Sequence, residues 1–485
     1  MRKILLFVFV VFEMVAFSFC AEAQTLANEQ MRETSNSSFS SPEYFNKLFY
    51  ISIEDAKDLI NNFHAEMKEG LSGDKSSLKM APSFIDKPKY SERGKFIAID
   101  LGGTNFRILE IELDGKGGLH VLATDKYVIK KEVMQGSGEQ LFDFIAISTK
   151  SFMEKYGISF ENPIFLGFTF SFPIKLNSRS SGILISWAKG FTASGVVGRD
   201  VVECLNQALL RQRMNNVKVV ALVADAVSAL VAENYIDHSC DMSVILGTGT
   251  DASYIETASK IEKLHDADYN DKNMIINLGW GSFDKFSRNK YDEHVDRISL
   301  NQNQQKVEKL ISGMYLGEVL RLVVCDLIQK GILFKQDDIK IFDKQNILSA
   351  EHMATSIEGD ESMDLKKVGD YLVGLGIKDP DLNSKKCFRD LCKIISLRSA
   401  RLAATLVAAV ITWIDPELKN SHTIGVDGSL FEKYPHYEDN MKQALSELFG
   451  EKASRIKFEL IKDGSGKGAS IAAAMAVYAG EKTDL

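Results

Sequence analysis

No C-x-x-C pair and no H-E-x-x-H or H-x-H group occurs in the 485 residues, although six cysteines and eight histidines are present. That spacing argues against a structural zinc site. Cys20 lies in an N-terminal hydrophobic segment. The remaining Cys204, Cys240, Cys325, Cys387 and Cys392 are odd in number and scattered, which is no disulfide framework. Basic excess is missing too. With 58 Lys and Arg against 66 Asp and Glu, the net charge is −8, which argues against a nucleic-acid surface. A negatively charged substrate must then be met by local geometry rather than by the global field. Two common nucleotide fingerprints are absent. Lys467 lacks a glycine five positions before Gly466 and is followed by Gly468, so there is no Walker A loop. Nor does a G-x-G-x-x-G open a helix after a first strand.

The N-terminus differs from the rest. Arg2-Lys3 precede the apolar run Ile4 to Phe19, and Ala21-Glu22-Ala23 follows as a small-x-small site. Residues 1–23 thus read as a secretory signal. The run is about 16 residues with Glu13 inside, short of the ~20 of a spanning helix. A membrane anchor through residues 4–19, or a start placed before the true Met31, are the other readings. The rest of the chain has the look of a cytoplasmic protein. The sequon Asn36-Ser37-Ser38 matters only if the chain is secreted. Residues 24–48 are polar and read as a flexible lead-in.

Ordinary hydrophobic and charged fractions (45% and 26%) and this length allow two or three domains with sizeable cores. Ser52 opens a helix with Asp55 in capping-box position, and Ala56, Ile60, Phe63 and Met67 give it one apolar face. Strand patterns at 105–113, 119–129 and 163–171 alternate with helical ones around 139–156 and 200–214. Val217 to Val223 reads as a buried strand, ending at Ala224-Asp225 before a helix at 226–234. Residues 257–305 look irregular apart from a strand at Met274–Leu278. One helix is expected over roughly 304–330 and another over 386–413. Strands at 422–426 and 456–461 precede a closing Ala-rich helix, 468–479. Alternating strands and helices indicate an α/β protein with mixed sheets.

One stretch stands out. Phe96-Ile97-Ala98-Ile99 is an apolar strand that ends in Asp100, turns at Gly102-Gly103, and returns as a second strand from Asn105. Two glycines let backbone N–H groups approach an anion without a Cβ in the way. Thr104, Asn105 and Arg107 add donors and charge, and Asp100 is placed to hold a cation through water. A Gly-Gly hairpin is the plainer reading. The plan returns at Val244-Ile245-Leu246, with Gly247-Thr248-Gly249-Thr250 as the turn and Ser253-Tyr254-Ile255-Glu256 as the second strand. This is a duplication of plan rather than of sequence. Further glycine turns follow strands at Gly428-Ser429 and at Gly464-Ser465-Gly466.

Taken in order, these motifs resemble the hexokinase family. Asp100-Leu-Gly-Gly-Thr-Asn-Phe-Arg107 resembles its first phosphate motif, and Leu166-Gly-Phe-Thr-Phe-Ser-Phe-Pro173 its sugar-binding strand. Trp187-Ala-Lys-Gly-Phe191 with Ser194-Gly195 resembles the next sugar segment, and Leu246-Gly-Thr-Gly-Thr250 the second phosphate motif. Lys309 to Glu318 is similar to the long-helix signature. Asp427-Gly428 with Phe431, and Asp463-Gly-Ser-Gly466, resemble the adenosine region. The likeness covers about residues 45–478. It implies a two-domain actin-like ATPase (ribonuclease H-like) fold with a cleft between a small and a large domain, residues 49–240 and 241–485. It also implies ATP-dependent phosphorylation of a glucose-like hexose at its 6-hydroxyl, the first step of glycolysis, with ATP and Mg²⁺ and no nucleic-acid partner. By the resemblance Asp225 is the catalytic base with Lys189 beside it. Ser171, Lys189, Asp225, Asp251 and Glu308 meet the hexose. Asp100 faces Mg²⁺. Gly102, Gly103, Thr104, Asn105, Arg107, Thr248, Gly249, Gly428, Ser429, Gly464 and Gly466 serve ATP. Without the resemblance, Asp225 is a helix N-cap, Lys189 a solvated lysine and Ser171 a strand hydroxyl. A zinc-bearing, repressor-like sugar kinase would need a cysteine cluster that the chain lacks.

The sugar pocket departs from that pattern. Ala224 stands where the family has Asn, Ala188 where it has Thr, Asp251 where it has Asn and Gly279 where it has Glu, while Glu308 is kept. A neutral hydrogen bond contributes about 0.5–1.5 kcal/mol and one to a charge about 1.5–3, so sugar affinity is expected to shift more than phosphoryl chemistry. A non-catalytic sugar and nucleotide sensor is the second reading of these four positions.

Overall fold

The computed structural model describes residues 42–103, 105–264, 272–357 and 363–479. The signal or anchor segment, Cys20, the sequon and Thr104 therefore lie outside the described residues. The backbone forms two compact units. One comprises Met1–Tyr50, Val319–Leu348 and His352–Ile395, and the other Ile51–Glu318, Ser349–Glu351 and Ser396–Leu485. The first is helical where described, with Phe334, Phe342, Tyr371 and Phe388 in ring contact. The second carries every described strand.

Two sheets in that second unit share one plan. The five-stranded sheet has the order β4-β3-β2-β5-β8, with β2 Arg93–Leu101, β3 Asn105–Asp114, β4 Leu119–Val128, β5 Ile164–Phe170 and β8 Val217–Val223. The pairs β2–β3 and β3–β4 are antiparallel, and β2–β5 and β5–β8 are parallel. In the six-stranded sheet β9 Cys240–Leu246, β10 Thr250–Thr257 and β11 Asn273–Asn277 form the antiparallel trio, and β12 His422–Asp427 and β13 Ile456–Leu460 run parallel to β9. A short β1, Ala81–Pro82, pairs with β11. A hairpin of β6 Ile174–Ser178 and β7 Ser181–Leu184 stands apart. The repeated Gly turn is thus the hairpin at the head of each sheet.

Helices Asp225–Ile236 and Gly464–Tyr478 pack on each other between the sheets. Val227, Leu230 and Val231 from one join Ala469, Ala472 and Ala473 from the other, together with Phe96, Ala98 and Val223. The opposite face of the five-stranded sheet packs Ile97, Ile99 and Phe168 against Leu141, Phe142 and Ile145 of helix Gly138–Tyr156 and Leu205 of helix Val201–Arg211. Ser52 and Asp55 form the expected capping box of helix Ile53–Ser72. Helix Leu382–Ile414 is apolar and long enough to cross a membrane, but 89% of its apolar window is buried in the protein, as in a core helix.

Four local expectations change. The lead-in read as flexible to residue 48 ends in a helix, Pro42–Phe49, whose Phe45 and Phe49 are buried. The stretch 304–330 is not one helix, because Ser312 is extended between helices Glu308–Ile311 and Gly313–Gln329. The break lets the Gly313 N–H donate to the Gly247 carbonyl at 2.9 Å, so the second Gly turn interrupts the helical pattern. The last helix begins at Gly464 rather than 468, after Asp463 in a left-handed conformation. Lys290–Ile298, read as irregular, is a helix with an Asn289 capping box.

Candidate active site

Parallel strands carry ligands at their carboxyl ends. In the five-stranded sheet those ends bring Asp100 (β2), Ser171 (after β5) and Asp225 (after β8) to one edge, where Asp100 is in register with Thr169 and Thr169 with Val223. In the six-stranded sheet they bring Gly247, Asp427 and Asp463 together, with Asp427 opposite Ile245.

Asp100 is buried. The Arg107 guanidinium donates to its Oδ2 from Nε (3.2 Å) and Nη2 (2.6 Å), and Nη1 donates to Asp463 Oδ1. Burial pushes the Asp100 carboxyl up, Arg107 works against that, and the Asp225 charge adds to it. Asp427 is pushed up to about 6 by burial, with Arg107 opposing and Asp225, Asp100 and Asp463 adding. Three carboxylates, Asp100, Asp463 and Asp427, thus act on one guanidinium. Arg107, expected on phosphate, is the brace of this cluster.

Gly102 and Gly103 differ from the other glycines of the site. A Cβ on either would meet nothing within 4 Å, and neither has a positive φ. Folding does not require glycine there, whereas a ligand that comes close to the backbone does. Gly428 is the opposite case. Its φ is +136°, and a Cβ would strike the Leu246 carbonyl, so it keeps β12 tight against the second Gly turn. Gly464 and Gly466 are buried in the first turn of the last helix, where side chains would strike Ile461 and Leu109 respectively. Their smallness is a packing requirement of helix on helix and helix on β3. Thr248 and Ser429 are exposed at the two turns, and Asn105 opens β3 half-buried.

Lys189 holds two segments together. Its ammonium donates to the Gly102 and Ser171 carbonyls, each at 2.8 Å, and stands 5.5 Å from the Phe172 ring centroid. Its φ is +56°. Below it Phe170, Phe172, Trp187 and Phe191 pack ring on ring, and the Trp187 indole N–H donates to the Ala193 carbonyl at 2.8 Å. The lysine therefore ties the first Gly turn to Ser171, the residue that follows β5.

Asp225 is the first residue of its helix, and Ala224 is the cap, with no side-chain hydrogen bond. Among the described residues the Asp225 carboxylate accepts only from the Ala226 N–H, at 2.9 Å. It sits at the positive end of a helix, which favours an anion. The charge of Asp225 raises Asp100, Asp251, Glu308 and Asp427 alike. Asp251 turns inward. Its Oδ1 accepts from the Ala252 N–H (2.8 Å) and the Trp280 N–H (3.1 Å). With the Asn277 amide nitrogen facing it, that group donates to Oδ2 at 3.1 Å. Burial and Asp225 push the Asp251 carboxyl up to about 7, with Lys79 opposing. Glu308 Oε2 accepts from the Thr250 N–H at 3.0 Å. A Cβ on Gly249 would come within 2.8 Å of that oxygen, so this glycine makes room for Glu308.

Two family models for hexokinase match the chain, one over residues 42–235 and the other over 241–475. The chain is 38% identical over 424 residues to hexokinase-2 of Oryza sativa subsp. japonica, spanning 84% of this chain and 85% of that one. It is 36% identical over 443 residues to human hexokinase-2, spanning 88% of this chain and 47% of the human protein. The solved hexokinase from Schistosoma mansoni complexed with glucose superposes with a TM-score of 0.81 at 34% identity, over 90% of this chain and 99% of that one. The chain belongs to the hexokinase family.

Three residues of this hexokinase site escaped the motifs as individual participants: Lys79, Asn277 and Asp463. Lys79 precedes β1 and belongs to no glycine turn, and its approach to Gly279 spans 200 positions of sequence. Asn277 ends a strand whose pattern reads as plain core. Asp463 stood out only as part of a glycine run.

Asp251 gives the hexokinase pocket a measurable pH signature. Its folded-state carboxyl titrates above its unfolded value, so its contribution to stability is complete below about pH 4 and is lost as pH rises through about 7. Asp251→Asn keeps the acceptor for both backbone N–H groups. Denaturant unfolding is expected to show Asp251→Asn and wild type equally stable near pH 4, with the variant increasingly the more stable up to pH 8. A constant difference across that range would refute the assignment.

Proposed function

We propose that the chain transfers the terminal phosphoryl group of ATP to the 6-hydroxyl of a hexose, giving hexose 6-phosphate and ADP. The observation that carries this is the placement of a lightly engaged Asp225 carboxylate at the strand ends, beside the two ligand-ready glycines. Phosphoryl transfer asks mainly for positioning and charge neutralisation. The hexose oxygen attacks the γ-phosphorus, the bond to the bridging oxygen of ADP breaks, and Asp225 takes the hydroxyl proton. Gly102, Gly103, Thr104 and Thr248 receive the phosphates. Lys189 holds the first turn in place, and Glu308 and Ser171 face the sugar.

Among the described residues no three His, Cys, Asp or Glu side chains gather round one point. A hard cation held by one or two carboxylates and by the phosphates themselves needs no such cage. The all-oxygen donors Asp100 and Asp427 suit Mg²⁺, which when bound neutralises phosphate charge. No observation among the described residues favours the non-catalytic reading. The product would feed glycolysis, and glucose homeostasis is the wider role this supports. We place the folded body in the cytosol, where ATP is available. Recovery of mature protein starting near Gln24 from a secreted fraction would contradict the placement. Transfer of labelled γ-phosphate tests the reaction itself. Glucose should acquire the label and 6-deoxyglucose should not, and equal labelling of both would refute the 6-hydroxyl as acceptor.

A further inference from the structure

Position 279 is a buried glycine with φ +61°, and the space above it is already filled. A Cβ there would stand 2.7, 2.8 and 2.9 Å from Cδ, Cγ and Cβ of Lys79. Lys79 is fixed at its base. Its carbonyl accepts from the Lys263 ammonium at 3.0 Å, and the next N–H, that of Met80, donates to the Leu278 carbonyl at 3.2 Å. Ala81 then pairs with Asn277 in the sheet. The aliphatic stem therefore lies across Gly279. The ammonium beyond it acts electrostatically on both Asp251 and Glu308. Among the described residues that ammonium makes no hydrogen bond or ion pair. Here is a cation whose backbone is anchored and whose exposed side chain crosses Gly279, with two carboxylates in electrostatic reach and, among the described residues, paired with neither.

We propose that Lys79 is a specificity-determining residue of the sugar pocket, donating to a ring hydroxyl of a neutral hexose from the space above Gly279. This rests on the hexose reading given above. Any sugar hydroxyl can accept as well as donate, so a donor-only ammonium here selects a hydroxyl that accepts from Lys79 and donates onward to a carboxylate such as Glu308. Three carboxylates, Asp225, Asp251 and Glu308, disfavour a sugar that is itself an anion. The arrangement also makes positions 79 and 279 mutually exclusive. A side chain at 279 enters only if the lysine stem leaves.

Steady-state kinetics of the full chain with glucose and ATP separates the outcomes. Lys79→Met keeps the stem and removes the donor. It should raise the glucose KM about 10- to 100-fold, the range of one lost hydrogen bond to a charged group. The kcat should stay within about threefold and the ATP KM should be unchanged, while Lys79→Arg keeps most of the glucose affinity. Gly279→Glu should weaken glucose binding on its own and recover part of it in the Lys79→Ala background. If wild type turns over hexose and Lys79→Met leaves the glucose KM within twofold, the role given to Lys79 is wrong and the hexose reading stands. If wild type turns over no hexose, the hexose reading falls and this proposal falls with it.

Discussion

Asp225→Asn is expected to lower kcat by about 10²- to 10⁴-fold, the usual contribution of a positioned general base. The amide has the same shape and can still accept from the Ala226 N–H, as Asp225 does at 2.9 Å. It cannot take a proton from the sugar. The KM values for hexose and ATP should move little, because the base acts in the transition state. A second readout follows from the electrostatics. Asp225 raises Asp251 and Asp427, so its neutralisation should bring both carboxyls down from about 7 and about 6. Stability at pH 8 should then rise as activity disappears. Loss of activity together with loss of stability would instead mean that Asp225 serves the fold.

Arg107→Met should cost both stability and nucleotide affinity. Its guanidinium joins buried Asp100 to Asp463 across two sheets. Breaking a fully buried pair costs about 3–5 kcal/mol; here the Arg107 side chain is 30% exposed, so about 2 kcal/mol is expected. Without the arginine, Asp100 is left as a buried carboxylate beside Asp225, and its proton affinity should rise further. The KM for ATP should increase at least about tenfold, because Asp100 no longer offers a charged oxygen. Denaturant unfolding and ATP titration check the two effects. The additional change Asp100→Asn should restore much of the stability and none of the nucleotide affinity. If the double variant is no more stable than Arg107→Met, the guanidinium is not compensating a buried charge.

The sequence already contained the architecture, since local signals there agree with one another. Two apolar strands ending in glycine turns announce two hairpins, and each proves to be the head of a five-strand plan. Ser52 and Asp55 start their helix as a capping box should. Asp225 follows a strand buried on both faces and precedes a helix, and no other position of the site was so well marked. What stayed hidden depends on approach in space. Gly249 reads as a phosphate glycine, but its missing side chain makes room for Glu308, 59 positions away. Gly464 and Gly466 read the same way, yet their neighbours are Ile461 and Leu109. Gly279 looked like a lost sugar contact, whereas Lys79 fills the space. The helix pattern over 304–330 hid the break at Ser312, because a hydrogen bond to Gly247 leaves no trace in periodicity.

The most direct measurement is coupled ADP release by the full chain with Mg²⁺, ATP and a panel of hexoses, set against Asp225→Ala prepared identically. Hexose phosphorylation predicts ADP release that depends on sugar and is absent from the Asp225→Ala protein. A panel in which no hexose raises ADP release above that variant would contradict it.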